Sequence, residues 1–129
     1  MASNLYQKTN SSLIICDIDK TAIKQFTSLH KSTLSQQILH ANYPIEVAQK
    51  ASTIITMLPT SSHVKKVYLE GQDSLINGID EDSFLIDSST IDQSDSREVS
   101  KKIIDKGARA VDAPVSGGSV NRYFNSQYL

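Results

Sequence analysis

The feature that most constrains the fold is one pattern that occurs twice between residues 82 and 118. Phe84-Leu85-Ile86 runs into Asp87-Ser88-Ser89-Thr90, and, after a stretch of helical spacing, Ala110-Val111 runs into Asp112-Ala113-Pro114-Val115-Ser116-Gly117-Gly118. A short, continuously apolar run suits a strand buried on both faces, which is the habit of parallel sheets. The acid and the small hydroxyl or glycine residues that follow then lie at the strand's carboxyl end, where open α/β sheets bind ligands. The chain is expected to fold as α/β around a parallel sheet, with a ligand site along the strand ends.

Two earlier segments repeat the design. Leu13-Ile14-Ile15-Cys16 ends in Asp17, and Thr53 to Leu58 is stopped by Pro59. Between the apolar runs, residues 19–30 place Ala22, Ile23, Phe26 and Leu29 at three- and four-residue spacing, which predicts a helix whose stripe covers the sheet. Pro44 suits the first turn of a helix running to Ala51, with Ile45 and Ala48 inward. Residues 61–70 carry Val64, Val67 and Tyr68 as a further helix. The last helix, from about Asp92 to Lys106, turns Val99, Ile103 and, at the edge of the stripe, Ile104 inward and Lys101, Lys102 and Lys106 to solvent, and Gly107 ends it. Residues 31–43 are rich in Ser and Gln, with Ile38-Leu39 the only apolar pair and a candidate short edge strand, and His30 and His40 are expected at the surface rather than as ligands. Strands near 13–17, 53–58, 83–87 and 108–112 should lie parallel in one sheet with helices on both faces.

Composition narrows the function. A length of 129 residues allows one domain, and thirteen basic against fourteen acidic residues give a net charge of -1. No basic field favours nucleic acid or an anionic membrane. Cys16 is the single cysteine and the three histidines are scattered, so neither a disulfide framework nor a metal site is expected. Every apolar run falls short of the roughly eighteen residues that a membrane helix needs. Residues 1–12 contain Lys8 and three serines but no arginine and no apolar stretch, which does not make a clear targeting peptide.

Individual residues admit two readings. Asp17 can accept hydrogen bonds from ribose hydroxyls and repel a 2'-phosphate, or Asp17 or Asp19 can cap the helix beginning near Lys20. Thr90 offers a hydroxyl at a strand end, or the cap of the helix that follows. Pro59 marks either a corner that approaches a ligand or a plain strand stop. Gly117 and Gly118 let backbone N–H groups converge on an anion, and Ser116 adds a hydroxyl.

Asp87-Ser88-Ser89-Thr90-Ile91-Asp92 followed by Asp112 to Gly118 resembles the 3-hydroxyisobutyrate dehydrogenases and their β-hydroxyacid dehydrogenase relatives. Leu13 to Asp17 looks like that family's second strand, Ile54 to Pro59 like its strand leading to a Leu-Pro turn, and Met1 to Leu5 like part of its first helix. The resemblance implies a partial NAD-binding domain over residues 1–118 and a divergent tail over 119–129. It implies a cofactor site at Asp17, Leu58, Pro59 and Thr90, and a substrate site at Ser116, Gly117 and Gly118. The implied reaction passes a hydride from a small 3-hydroxy acid to NAD, as in valine catabolism. Family members are homo-oligomers, and their location points to the mitochondrion, with the cytoplasm as the alternative where no transit peptide is evident.

The sequence also departs from the family. All five glycines lie beyond residue 70, whereas a dinucleotide fold places its glycine-rich loop about twenty residues before the ribose-binding acid. The chain therefore reads as truncated, without the first strand, the glycine loop and the all-helical second domain. The family's acid/base lysine matches no position here, so no catalytic residue is assigned. His63 stands where family members carry an asparagine, and that asparagine's bond to the cofactor is not carried over. Two alternatives remain open. One is a non-catalytic fragment or regulatory isoform. The other starts from Asp17-Ile18-Asp19-Lys20-Thr21, which resembles the nucleophile motif of haloacid-dehalogenase-like phosphohydrolases and would require Mg2+.

Overall fold

The computed structural model describes residues 1–33 and 35–115. Their elements run α1 (Ala2–Lys8), β1 (Leu13–Ile15), α2 (Lys20–Leu29), β2 (Ile38–His40), α3 (Pro44–Ala48), β3 (Thr53–Thr56) and α4 (Ser61–Leu69). A 3-10 turn, Leu75–Asn77, then precedes β4 (Phe84–Asp87), α5 (Gln93–Asp105) and β5 (Arg109–Asp112). Strand and helix alternate throughout, and every strand pair among the described residues is parallel. The α/β class expected from the apolar runs is the observed one.

One expectation is corrected. The strands do not share a single sheet: β1 pairs with β2, and β3-β4-β5 form a separate three-stranded sheet in that order. No described residue forms a strand between β1 and β3, so nothing connects the two hydrogen-bond ladders.

The helix boundaries follow local chemistry. Asp19 caps α2 by accepting the Thr21 N–H at 2.8 Å, and Asp92 caps α5 by accepting the Ser94 N–H at 2.8 Å. Gly107, at φ +100°, supplies the left-handed residue that ends α5, and its N–H donates to the Ile104 carbonyl at 2.9 Å. Gly78 permits the 3-10 turn to press on α3, since a Cβ there would lie 2.9 Å from Ala48 Cβ and from the Ile45 carbonyl oxygen.

The core gathers on the three-stranded sheet. Ile54 of β3 and Leu85 of β4 pack with Val64 and Tyr68 of α4, Val99 and Ile103 of α5, Leu75 and Ala108. The stripe of α2 departs from expectation, because none of its residues is buried and Leu29 is 77% exposed, and on α5 Ile104 faces solvent instead of joining Val99 and Ile103. Among the described residues of the β1–β2 half, only Tyr6 and Ala41 are buried. Tyr6 packs edge-on against Phe26 and His30 and donates its hydroxyl to the Lys31 carbonyl at 2.8 Å. His30 is thereby a partly buried packing residue rather than a surface one.

Candidate functional site at the strand carboxyl ends

The carboxyl ends of β3 and β4 are joined through one buried carboxylate. Parallel pairing sets Thr56 on the same rung as Asp87, which brings a hydroxyl beside the acid. Asp87 Oδ1 accepts three bonds: from Thr56 Oγ1 at 2.9 Å, from the Ser89 N–H at 3.0 Å and from Ser89 Oγ at 2.5 Å. Since the Thr56 hydroxyl donates its proton to Asp87, the Tyr68 hydroxyl, 2.6 Å away, is the donor to Thr56 Oγ1. A relay Tyr68→Thr56→Asp87 results. Burial pushes the Tyr68 phenol well above its ordinary range, and the charges of Asp87 and Asp112 add to the rise against the Thr56 bond.

Ser89 carries the network to the chain corner. Its hydroxyl, having donated to Asp87, accepts the Leu58 N–H at 2.9 Å. The Leu58-Pro59 corner is thus held by a hydroxyl that a carboxylate orients. The same strand end fixes the segment after β5, where the Ala113 N–H donates to the Asp87 carbonyl at 2.8 Å and Thr90 Oγ1 donates to the Val115 carbonyl at 3.2 Å. The cap of α5 is Asp92 rather than Thr90, which leaves the Thr90 hydroxyl exposed beside Val115.

Leu58, Pro59 and Thr90 therefore lie together at the ends of β3 and β4. Asp17 does not join them: it is exposed at the end of β1, in the other sheet, where its Oδ1 accepts the Asp19 N–H at 2.8 Å. Ser116, Gly117 and Gly118 lie outside the described residues. His63 is spent locally, with Nδ1 2.7 Å from the hydroxyl of Thr60, the residue that caps α4. Asp87, Ser89, Thr56 and Tyr68 carry the site's architecture without having been singled out for it in the sequence. The one available signal was the acid followed by two serines at a strand end; the threonine and tyrosine needed the strand register.

A parallel α/β fold with polar groups at its strand carboxyl ends has the arrangement of nucleotide-binding α/β domains. The family model described as the NAD binding domain of 6-phosphogluconate dehydrogenase matches residues 1–123, and the chain belongs to this family. It is 42% identical over 118 residues to the mitochondrial 3-hydroxyisobutyrate dehydrogenases of Mus musculus and Homo sapiens, covering 92% of this chain and 32% of each relative. The chain spans about a third of the length of the relatives it matches. Among solved structures, Mycobacterium tuberculosis 3-hydroxyisobutyrate dehydrogenase with L-serine superposes with a TM-score of 0.65 at 32% identity, covering 80% of this chain and 32% of that one. The phosphohydrolase reading of Asp17 to Thr21 loses its ground, since the family is a different one and Asp19 serves as a helix cap.

The family's cofactor is a nicotinamide dinucleotide, and the described residues meet its chemistry unevenly. Acceptors and a fixed backbone corner suited to ribose hydroxyls are present. A pyrophosphate cradle is not, among the described residues: no glycine precedes Gly71, and carboxylates of the chain itself already occupy the amino ends of α2 and α5. A second anion at either end would meet a negative charge.

Proposed function

We propose that this chain supplies the ribose-facing part of a 3-hydroxyisobutyrate-type dehydrogenase site and does not turn over substrate by itself. The observation that carries the reading is the Leu58-Pro59 corner, locked by Ser89 and Asp87 and opening beside the exposed Thr90. A fixed, solvent-facing corner at strand ends suits a nicotinamide ribose. Asp17 takes the adenosine ribose hydroxyls, and its charge favours NAD over NADP. Ser116, Gly117 and Gly118 hold the carboxylate of a small 3-hydroxy acid, and the domain boundary falls after residue 118. The cofactor, when bound, accepts the hydride; the chain's own residues orient and contribute no general acid or base. The mitochondrial relatives support a mitochondrial location.

The test is a titration of the 15N-labelled chain with NADH. Binding on the order of millimolar is expected without a pyrophosphate cradle, with amide shifts at Asp17, Leu58 and Thr90. Shifts that leave Leu58 and Thr90 untouched would overturn the assignment. Addition of NADPH in place of NADH should shift Asp17 less in the native chain, and equally in Asp17→Ser.

A further inference from the structure

Asn77-Gly78 is the only Asn-Gly pair in the sequence, and in such a pair the side-chain amide is open to attack by the backbone. Glycine has no Cβ to shield its own nitrogen and lets the chain turn into the geometry of attack. Neither residue can be exchanged freely here. A Cβ on Gly78 would lie 2.9 Å from Ala48 Cβ and 2.9 Å from the Ile45 carbonyl oxygen, so the 3-10 turn needs a glycine to seat against α3. Asn77 Nδ2 donates to the carbonyls of Gly71 at 2.9 Å and Gln72 at 3.3 Å and to Ser74 Oγ at 2.9 Å. Ser74 Oγ in turn donates its proton to the Gly71 carbonyl at 2.9 Å, so all the groups around the Asn77 amide are acceptors and call for an N–H donor. The packing demands the labile pair.

The same contacts withhold the reaction. The nucleophile would be the Gly78 nitrogen, whose proton is bonded to the Leu75 carbonyl at 2.9 Å. Asn77 closes the 3-10 turn Leu75–Asn77, whose backbone carries the next nitrogen away from the side chain, whereas attack needs Asn77 extended. Ser74 and Leu75 are buried, and the Ile45 N–H in the first turn of α3 donates to the Asp73 carbonyl at 2.9 Å. The turn and α3 therefore come apart together.

We infer that Asn77 is a modification site of the opened chain: it deamidates through a cyclic imide when segment 71–78 leaves α3, and the product cannot close again. The Gly78 nitrogen bonds to Asn77 Cγ and the side-chain nitrogen leaves as ammonia; water then opens the imide at either carbonyl, giving aspartate or isoaspartate. The net exchange is amide and water for acid and ammonia, and no oxidant is needed. Either product sets a carboxylate, which only accepts, against the Gly71 and Gln72 carbonyls. Isoaspartate also adds a carbon to the backbone where Gly78 already has no room against α3. The inference rests on residues 45–78 alone and holds whatever the strand-end site binds.

The full chain is incubated at mildly alkaline pH with and without urea, and peptic peptides spanning Asn77 are scored by mass for the exchange of amide for acid. Deamidation in the folded chain should be at least about 30-fold slower than in urea, because several bonds must break together before attack. Ser74→Ala, which removes one acceptor of the clamp, should quicken the folded-state rate about three- to tenfold and leave the rate in urea unchanged. In the native chain, which needs no variant to fold, the rate should track amide exchange at Gly78 as urea is raised below the unfolding transition. After conversion and removal of urea, the deamidated chain should unfold at lower urea than the native chain and lose protection at the Ile45 amide. A folded-state rate equal to that in urea, a rate indifferent to Gly78 exchange, or a deamidated chain that regains the native midpoint and Ile45 protection would overturn the inference.

Discussion

Replacing Asp87 by alanine is the sharpest test of the strand-end network. The carboxylate oxygen accepts three bonds, and bonds to a charged acceptor contribute about 1.5–3 kcal/mol each when measured singly. They will not add in full. Thr56 Oγ1 still accepts from Tyr68 and Ser89 Oγ still accepts from the Leu58 N–H, while the Thr56 and Ser89 hydroxyl protons and the Ser89 N–H lose their acceptor, and the two hydroxyls can turn to relieve part of that loss. Discounting each bond to roughly 1 kcal/mol gives about 3 kcal/mol for Asp87→Ala, a large share of the roughly 5–15 kcal/mol available to a domain. For a chain of this size that loss corresponds to about 10–15 °C in Tm.

Urea denaturation of native chain, Asp87→Ala, Ser89→Ala and the double variant measures both the loss and the coupling. Ser89→Ala should cost about 1–2 kcal/mol, and the double variant should fall short of the sum by about 1 kcal/mol because the two residues share a bond. Amide exchange at Leu58 should quicken in both single variants, since its acceptor is removed in one and loses its anchor in the other. A loss under about 0.5 kcal/mol for Asp87→Ala, or unchanged Leu58 exchange in Ser89→Ala, would refute the reasoning.

Ile103→Ala removes a fully buried side chain from the interface of α5 with the three-stranded sheet and should cost about 2–5 kcal/mol by urea titration. Stability should fall in acid: Asp92 is held below the ordinary carboxylate range by Ser94, Asp95 by Lys65, and Glu98 by Lys102 and then Lys65. Depressed values mean that the contribution is present above the unfolded carboxylate values near about 4 and is lost as pH drops through the lower folded values, which a pH series of Tm will show. Lys65, raised by Asp95 and Glu98, works in the opposite sense: its contribution is full below its unfolded value and fades only in strong alkali, so Lys65→Met should flatten the acid limb. Incubated with 3-hydroxyisobutyrate and NAD, the chain should form no NADH by absorbance. Turnover that depends on Lys101, Lys102 or Lys106 would show that the catalytic group lies within it.

Sequence periodicity sufficed where a segment's environment is set by its own residues. The apolar runs at 13–16, 53–58 and 84–86 became strands, the proline at 44 opened a helix and the glycine at 107 closed one, because each outcome depends on local sterics and on burial of an uninterrupted face. The Asp87 network was not legible, since Thr56 and Tyr68 reach the acid only through the β3–β4 register and the packing of α4. The stripe of α2 misled for a related reason. Spacing tells which residues share a helix face, but whether a sheet lies beneath that face depends on a neighbouring strand, and no described residue forms one between β1 and β3.

That gap divides the molecule into halves of unequal cohesion. The β3–β5 half packs Ile54, Leu85, Val64, Tyr68, Val99 and Ile103 into one cluster, whereas Tyr6 and Ala41 are the only buried hydrophobic residues among the described residues of α1, β1, α2, β2 and their connections. Local opening free energy follows buried apolar contact, so the β1–β2 half opens first. Asp17 stands on that weaker half, while Leu58, Pro59 and Thr90 stand on the firm one. On the proposed reading, a dinucleotide reaching both must therefore order Asp17 at its own expense, which weakens its binding by the free energy of that ordering.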